Sequence, residues 1–257
     1  AVLVQKGTLP SPEALEYPLP PKGDTPLIAA ARGGNAEDLE LLLVAKANVF
    51  AVNNGGASAL FLAAASGHPK CVDLLVKGGA VINVVTAESS STPVFIAAQE
   101  GHYECLKILV AAKANIDHVA NKGITPVMIA AAEGQDACLR VLVNQGANVN
   151  TMAVGGVTPA YIASQQGNAD CLRILISARA NVNAMTDDGV PPIFIAAQQG
   201  HLDCVRELLR GELNLDVLHK GKTPKQVAKG NGHFAVAEMI SDAVKCRPTH
   251  SLRADLQ

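Results

Sequence analysis

Five of the six cysteines, Cys71, Cys105, Cys138, Cys171 and Cys204, recur at intervals of 34, 33, 33 and 33 residues. Thiols can form disulfides, hold zinc or act as nucleophiles, and each role needs reactive groups brought close together. A disulfide tolerates at most about 7 Å between Cα atoms, and a zinc ion sits about 2.3 Å from its sulfurs. One thiol per repeat interval, each on its own helix, is instead spaced by the roughly 8 to 10 Å that separates packed helices. The five therefore form a ladder and are expected to be small buried hydrophobes in a reducing setting. Only Cys246 falls off the register, and it is the cysteine expected to be exposed and reactive.

Other candidate groups are held apart by the same spacing. His68, His102, His201 and His233 each follow a Gly at the same repeat position, so no two converge on a metal or form an acid–base pair. They are expected to be turn and cap residues. Gly221-Lys222-Thr223 ends like a phosphate-binding loop, but the first Gly of that pattern falls on Asp216, and Thr223 stands before a Pro as a helix cap. No catalytic, metal or cofactor site is expected, and the chain is not read as an enzyme.

Charge and hydropathy narrow the partners. A net charge of -2 with 17% charged residues offers no basic surplus to neutralise phosphates, so nucleic acid is not an expected partner. Although 49% of residues are hydrophobic, every apolar run is broken well before the roughly 18 residues of a membrane span. No Asn-x-Ser/Thr acceptor occurs. Together with the reduced thiols, this places the chain inside a cell in a reducing compartment, without separating cytosol from organelle interior.

The elements that carry these residues repeat. Thr25-Pro26, Thr92-Pro93, Thr125-Pro126, Thr158-Pro159 and Thr223-Pro224, with Ser58-Ala59 and Pro191-Pro192 in the gaps, are spaced by 32 to 34 residues, a period typical of stacked arrays. Thr caps a helix and Pro suits its first position. Small and apolar residues follow, and then Gly34, Gly67, Gly101, Gly134, Gly167, Gly200 and Gly232 are placed to end each helix in a left-handed conformation. In a second helix Cys105, Leu106, Ile108 and Leu109 share one face and Glu104 and Lys107 the other. Extended, Asn-rich segments such as "AKANIDHV" and "QGANVNTM" then read as projecting hairpin-like loops. The pattern predicts helix, turn, helix and long loop, seven times over.

"TPLIAAARGGN", "TPVFIAAQEGH" and "TPVMIAAAEGQ", each leading into a Leu-rich helix, resemble the ankyrin repeat from about residue 22 to 243. The resemblance implies an all-α solenoid of stacked helix–turn–helix repeats with projecting loops. Residues 1–21 would form a Pro-rich extended segment and 244–257 a C-terminal tail. The family's usual His two residues after the Pro is replaced by Ile28, Phe61, Phe95, Met128, Tyr161, Phe194 and Gln226, which are expected to pack between repeats. Where the family has Gly after the second helix, Lys46, Lys113, Arg179 and Glu212 are expected to keep a left-handed backbone at a cost of about 1 kcal/mol each. Lys225, Gln226 and Lys229 read as a polar C-terminal cap. Over the first repeat, Leu15, Tyr17 and Leu19 are expected to lie as the opposite cap.

The resemblance also places a concave stripe just after the paired Ala, at Arg32, Ala65, Ser66, Gln99, Glu100, Ala132, Glu133, Gln165, Gln166, Gln198, Gln199 and Asn231, and loop tips at Glu88, Asn121, Lys122, Val154, Asp187, Asp188, His219 and Lys220. From these, Gln99, Glu100, Glu133, Gln165, Gln166, Gln198, Gln199, Asp187, Asp188 and Lys122 are the candidate partner-binding residues. The expected function is protein binding by a pre-ordered, non-catalytic scaffold. A permanent structural subunit of a larger assembly, organellar or membrane-associated, is the alternative.

Overall fold

Each Thr of the repeated dipeptide stops the chain in an extended conformation and turns it into a helix. The N–H groups of Ile28, Phe61, Phe95, Met128, Tyr161 and Gln226 donate to the hydroxyls of Thr25, Ser58, Thr92, Thr125, Thr158 and Thr223 at 3.1 to 3.4 Å. Each hydroxyl satisfies one orphan donor of the first turn. Pro191 has no such side chain, and its helix begins uncapped.

The computed structural model describes residues 15–211 and 213–246. It contains fourteen α-helices between Pro26 and Cys246, arranged as an all-α solenoid of stacked helical repeats. Two units are distinguished, residues 1–148 and 149–257. In the first, the helix pairs are α1 (Pro26–Gly33) with α2 (Ala36–Val44), α3 (Ala59–Ala65) with α4 (Pro69–Lys77), α5 (Pro93–Gln99) with α6 (Tyr103–Ala111), and α7 (Pro126–Ala132) with α8 (Asp136–Asn144). In the second they are α9 (Pro159–Gln166) with α10 (Ala169–Ser177), α11 (Pro192–Gln199) with α12 (Leu202–Leu209), and α13 (Pro224–Gly230) with α14 (Phe234–Cys246). Within each unit, successive first helices lie side by side, as do successive second helices. The last helix runs past residue 243, where the array was expected to end. The loops carry isolated antiparallel bridges, Val52 to Ser58, Ala153 to Val157 and His219 to Lys222, so they are hairpin-like, as their turn residues predicted.

The core follows the repeat. Cys105, Leu106 and Leu109 of α6 are buried, while Glu104 and Lys107 face water. Ile28, Phe95, Met128 and Phe194 are buried, Phe61 and Tyr161 are half-buried, and Gln226 is exposed. The ladder after the Pro therefore packs between repeats until the last pair. Lys46, Lys113 and Arg179 have φ of 65°, 66° and 64°, the left-handed backbone expected of them; Glu212 lies outside the described residues.

One core position departs from this economy. Ser164 is fully buried and its hydroxyl has no hydrogen-bond partner among the described residues, where the equivalent positions hold Ala131 and Ala197. An unsatisfied buried hydroxyl costs about 1 to 3 kcal/mol. Ser164→Ala is accordingly expected to raise stability by about that amount, read as a higher urea midpoint at unchanged m value. An unchanged or lower midpoint would refute it.

At the N-terminal end the expectation holds for Leu15 and fails for Tyr17. Leu15 is buried, Leu19 is half-buried, and the Glu16 carboxylate accepts from the Asn48 N–H at 2.8 Å, which ties this segment to the first loop. Tyr17 is 66% exposed. The chain leaves a helical residue at Leu15 through a bend at Glu16, so the alternation that would put residues 15, 17 and 19 on one side does not operate. Pro10 and Pro12 lie outside the described residues. Lys225, Gln226 and Lys229 are all exposed, as a polar cap requires.

Candidate functional site

The histidines that recur after the inter-helix Gly do more than turn the chain. His68, His102 and His201 each direct Nε2 at a first-helix carbonyl of the preceding pair, Arg32, Ala65 and Gln165, at 3.1, 3.1 and 3.0 Å. A carbonyl only accepts, so each ring carries its proton on Nε2. Gln135 and Asn231 make the same bond with amide N–H groups, to Gln99 and Gln198 at 3.2 and 2.9 Å. Each bond satisfies an orphan carbonyl at a helix C-terminus and fixes one pair against the next. None of these rings caps its own helix, so the cap they supply belongs to the neighbour.

The cysteine ladder is buried throughout, and none of the five forms a disulfide. Cys138 and Cys204 make weak contacts from Sγ to the carbonyls of Ala97 and Ala163, both 3.8 Å. Burial pushes the Cys105 and Cys138 thiols up to about 11 and the Cys204 thiol up to about 12. A thiol held protonated and out of solvent is a poor nucleophile. The Cys246 side chain lies outside the described residues. No group of three or more His, Cys, Asp or Glu is placed to hold a metal ion among the described residues, and no helix there is long and apolar enough to cross a membrane.

The loops are stitched into register by Asn and Asp side chains. The Asn115 and Asn148 N–H groups donate to Asn83 and Asp117 in the first unit, both at 2.8 Å. Those of Asn181 and Asn214 donate to Asn150 and Asn183 in the second, at 2.7 and 2.8 Å. Farther out, the Asn121 side chain donates to the Glu88 carbonyl at 2.7 Å, and the Asp187 N–H to the Gly155 carbonyl at 2.9 Å. The projecting surface is thus ordered before anything binds it.

On this frame Glu100, Glu133 and Lys122 of the first unit are exposed and Gln99 is half-buried. Glu100 and Glu133 are the C-caps of α5 and α7, where a carboxylate opposes the helix dipole by a few tenths of a kcal/mol. Lys122 holds the tip of its loop at φ 60°. In the second unit Gln165, Gln166, Gln198, Gln199, Asp187 and Asp188 are all exposed. Asp188 lies close enough to Tyr161 for its charge, after burial, to raise that phenol, which brings an aromatic ring beside a candidate loop residue. Arg32, by contrast, is withdrawn from the surface by its ion pair with Asp24 at 2.7 Å.

A feature absent from the candidate residues is an apolar stripe along the loops. Val52, Val85 and Val119 in the first unit and Met152, Met185 and Leu218 in the second share one repeat position, and all are between 45% and 62% exposed. Where the stitching fails, because Phe50 stands at the accepting position and its side chain has no oxygen to offer the Val81 N–H, Phe50 and Val81 add two more exposed apolar side chains. The signal was present in the sequence as the last letter of segments such as "AKANIDHV" and "QGANVNTM", but an extended segment does not reveal which side chains face outward.

The chain is matched by the family model described as ankyrin repeats in three copies, over residues 6–86, 84–153 and 160–250. Among solved structures it is similar to the human ASB11 ankyrin repeat domain, with 25% identity, a TM-score of 0.76, and coverage of 84% of this chain and 98% of that one. It is also similar in fold to the ankyrin repeat domain of Bcl-3, a member of the IkappaB family, with 23% identity, a TM-score of 0.73, and coverage of 85% and 100%. With the period, capped helices and stitched loops already in place, these matches make the chain a member of the ankyrin repeat family.

Proposed function

We propose that the chain is a non-catalytic scaffold that binds a protein partner through its loops and the exposed ends of its first helices. Ankyrin repeat domains are generally protein–protein interaction modules. The observation that carries the reading for this chain is the stripe of exposed apolar side chains, one per loop, on a surface held in register by Asn side chains. Large exposed side chains kept at one repeat position offer apolar area that a partner can cover. Because the loops are already ordered, docking costs little conformational entropy. Glu100 and Glu133, placed against the helix dipole, and the amides of Gln165, Gln166, Gln198 and Gln199 supply a polar rim. Buried cysteines that form no disulfide suit a reducing compartment.

The test is affinity purification of the tagged chain from its native source, beside Val85→Asp/Val119→Asp and Met152→Asp/Met185→Asp variants. At least one pair is expected to lose a reproducible companion by tenfold or more, while the melting temperature shifts by only a few degrees, because these side chains are exposed. Companions that bind every variant equally would overturn the surface assignment. A stoichiometric companion needed to keep the chain soluble would favour a permanent subunit instead.

A further inference from the structure

The second unit contains a cavity of about 310 Å³ beneath its last loop, lined by residues that include Phe194, Gln198, His219, Lys220, Lys222 and Gln226. Its origin is local. In the other repeats the residue two after the Pro is apolar or aromatic and packs between helices. On α13 that residue is Gln226, whose Oε1 is drawn back to accept from the Thr223 N–H at 2.8 Å as half of a capping box. The space beside Phe194 is left open, and the His219 ring stands edge-on to Phe194 with centroids 5.2 Å apart.

The rim is cationic in a chain whose net charge is -2. Residues 217–237 hold four lysines and neither Asp nor Glu, and neither Lys220 nor Lys222 forms an ion pair among the described residues. The loop that presents them is a two-residue hairpin turn, bridged from His219 to Lys222, with φ of 50° at Lys220 and 72° at Gly221. Such turns favour Asn or Gly at both central positions. A Lys at the first gives up stability and sets an ammonium group at the mouth of the cavity. Leu218, 62% exposed, immediately precedes the lining residue His219 in the chain.

Building on the scaffold reading above, we propose that this cavity is the seat for an Asp or Glu side chain of an extended partner segment, whose neighbouring apolar residue lies on Leu218. The two ammonium groups face the carboxylate, and the free amide N–H groups of Gln226 donate to it. Phe194, Val190 and Val227 give the cavity an apolar wall that suits the methylene stem of an acidic residue better than a hydrated dianion. The absence of an Arg fork from the lining also disfavours a phosphate, for which planar bidentate recognition is the stronger device.

The experiment is selection of a random twelve-residue peptide library on the full chain, followed by fluorescence anisotropy of the selected peptides. Enriched peptides are expected to carry Asp or Glu beside a large apolar residue, and Glu→Gln or Asp→Asn in the peptide is expected to weaken binding tenfold or more. Lys220→Glu and Lys222→Glu should each do the same, and binding should fall between 50 and 300 mM salt. Lys220→Asn separates binding from folding: it should leave the melting temperature unchanged or higher, yet weaken the peptide several-fold. Enrichment of peptides without an acidic residue, no enrichment, or indifference to both charge reversals would overturn the proposal. Displacement by millimolar inorganic phosphate at constant ionic strength would also overturn it, in favour of a free anion. Peptides lost on Met152→Asp/Met185→Asp but unaffected by the lysine variants would leave the scaffold reading standing and this one refuted.

Discussion

Gly67→Ala is expected to destabilise the protein by roughly 2 to 5 kcal/mol, whereas Gly79→Ala costs only about 1 to 2 kcal/mol. Both residues have positive φ, 73° and 84°, so both substitutions carry the penalty of a side chain in the left-handed region. The difference is what the new methyl meets. At Gly79 nothing lies within 4 Å, but at Gly67 a Cβ would fall 2.6 Å from two atoms of the His102 ring. The ring then has to move, and its bond to the Ala65 carbonyl is lost, leaving that acceptor unpaired. Urea unfolding of the two variants checks the ordering. The decisive addition is Gly67→Ala combined with His102→Ala. Removing the ring removes the clash, so the double variant should be less destabilised than the sum of the singles. Additivity would mean that the ring and the glycine are not coupled.

That pair shows what the sequence could and could not convey. Thr-Pro starts, Gly stops and the apolar periodicity are local signals, each set by backbone chemistry at its own position, and the helices, turns and loops follow from them. His102 was legible as a turn residue because it follows Gly101. Its bond to Ala65 was not, because the partner lies 37 positions away and depends on how one pair stacks on another. The residues of the expected concave stripe divide the same way. Glu100, Glu133 and the paired glutamines were placed by register and stand exposed, while Arg32, at the same register, is taken up by Asp24. The exposed apolar side chains at Val52, Val85, Val119, Met152, Met185 and Leu218 escaped because an extended segment does not reveal which of its side chains face outward. Tyr17 stands exposed because the chain bends at Glu16, which the composition of the Pro-rich segment does not reveal.

Above pH 9 the cysteine ladder is expected to turn from a stabilising feature into a liability. In the unfolded chain thiols titrate near 8.5, whereas burial, with smaller additions from Cys71 and Glu104, raises Cys105 to about 11. Burial with Asp136 and Cys105 does the same for Cys138, and burial with Asp203 and Glu207 raises Cys204 to about 12. The folded state therefore keeps protons that the unfolded state has released, and stability must fall as pH rises. The contribution is fully present below the unfolded value and disappears as pH climbs through the folded ones. Each thiol removes roughly 1 kcal/mol per pH unit inside that window. Three acting together over two units remove several kcal/mol, comparable with the whole stability of an ordinary domain. Urea midpoints at pH 8, 9 and 10 for the parent and for Cys105→Ala/Cys138→Ala/Cys204→Ala test this. Lysines and tyrosines titrate in both proteins, so the difference between the two slopes isolates the thiols. The variant should lose stability more slowly with pH; equal slopes would show that the ladder does not carry the loss.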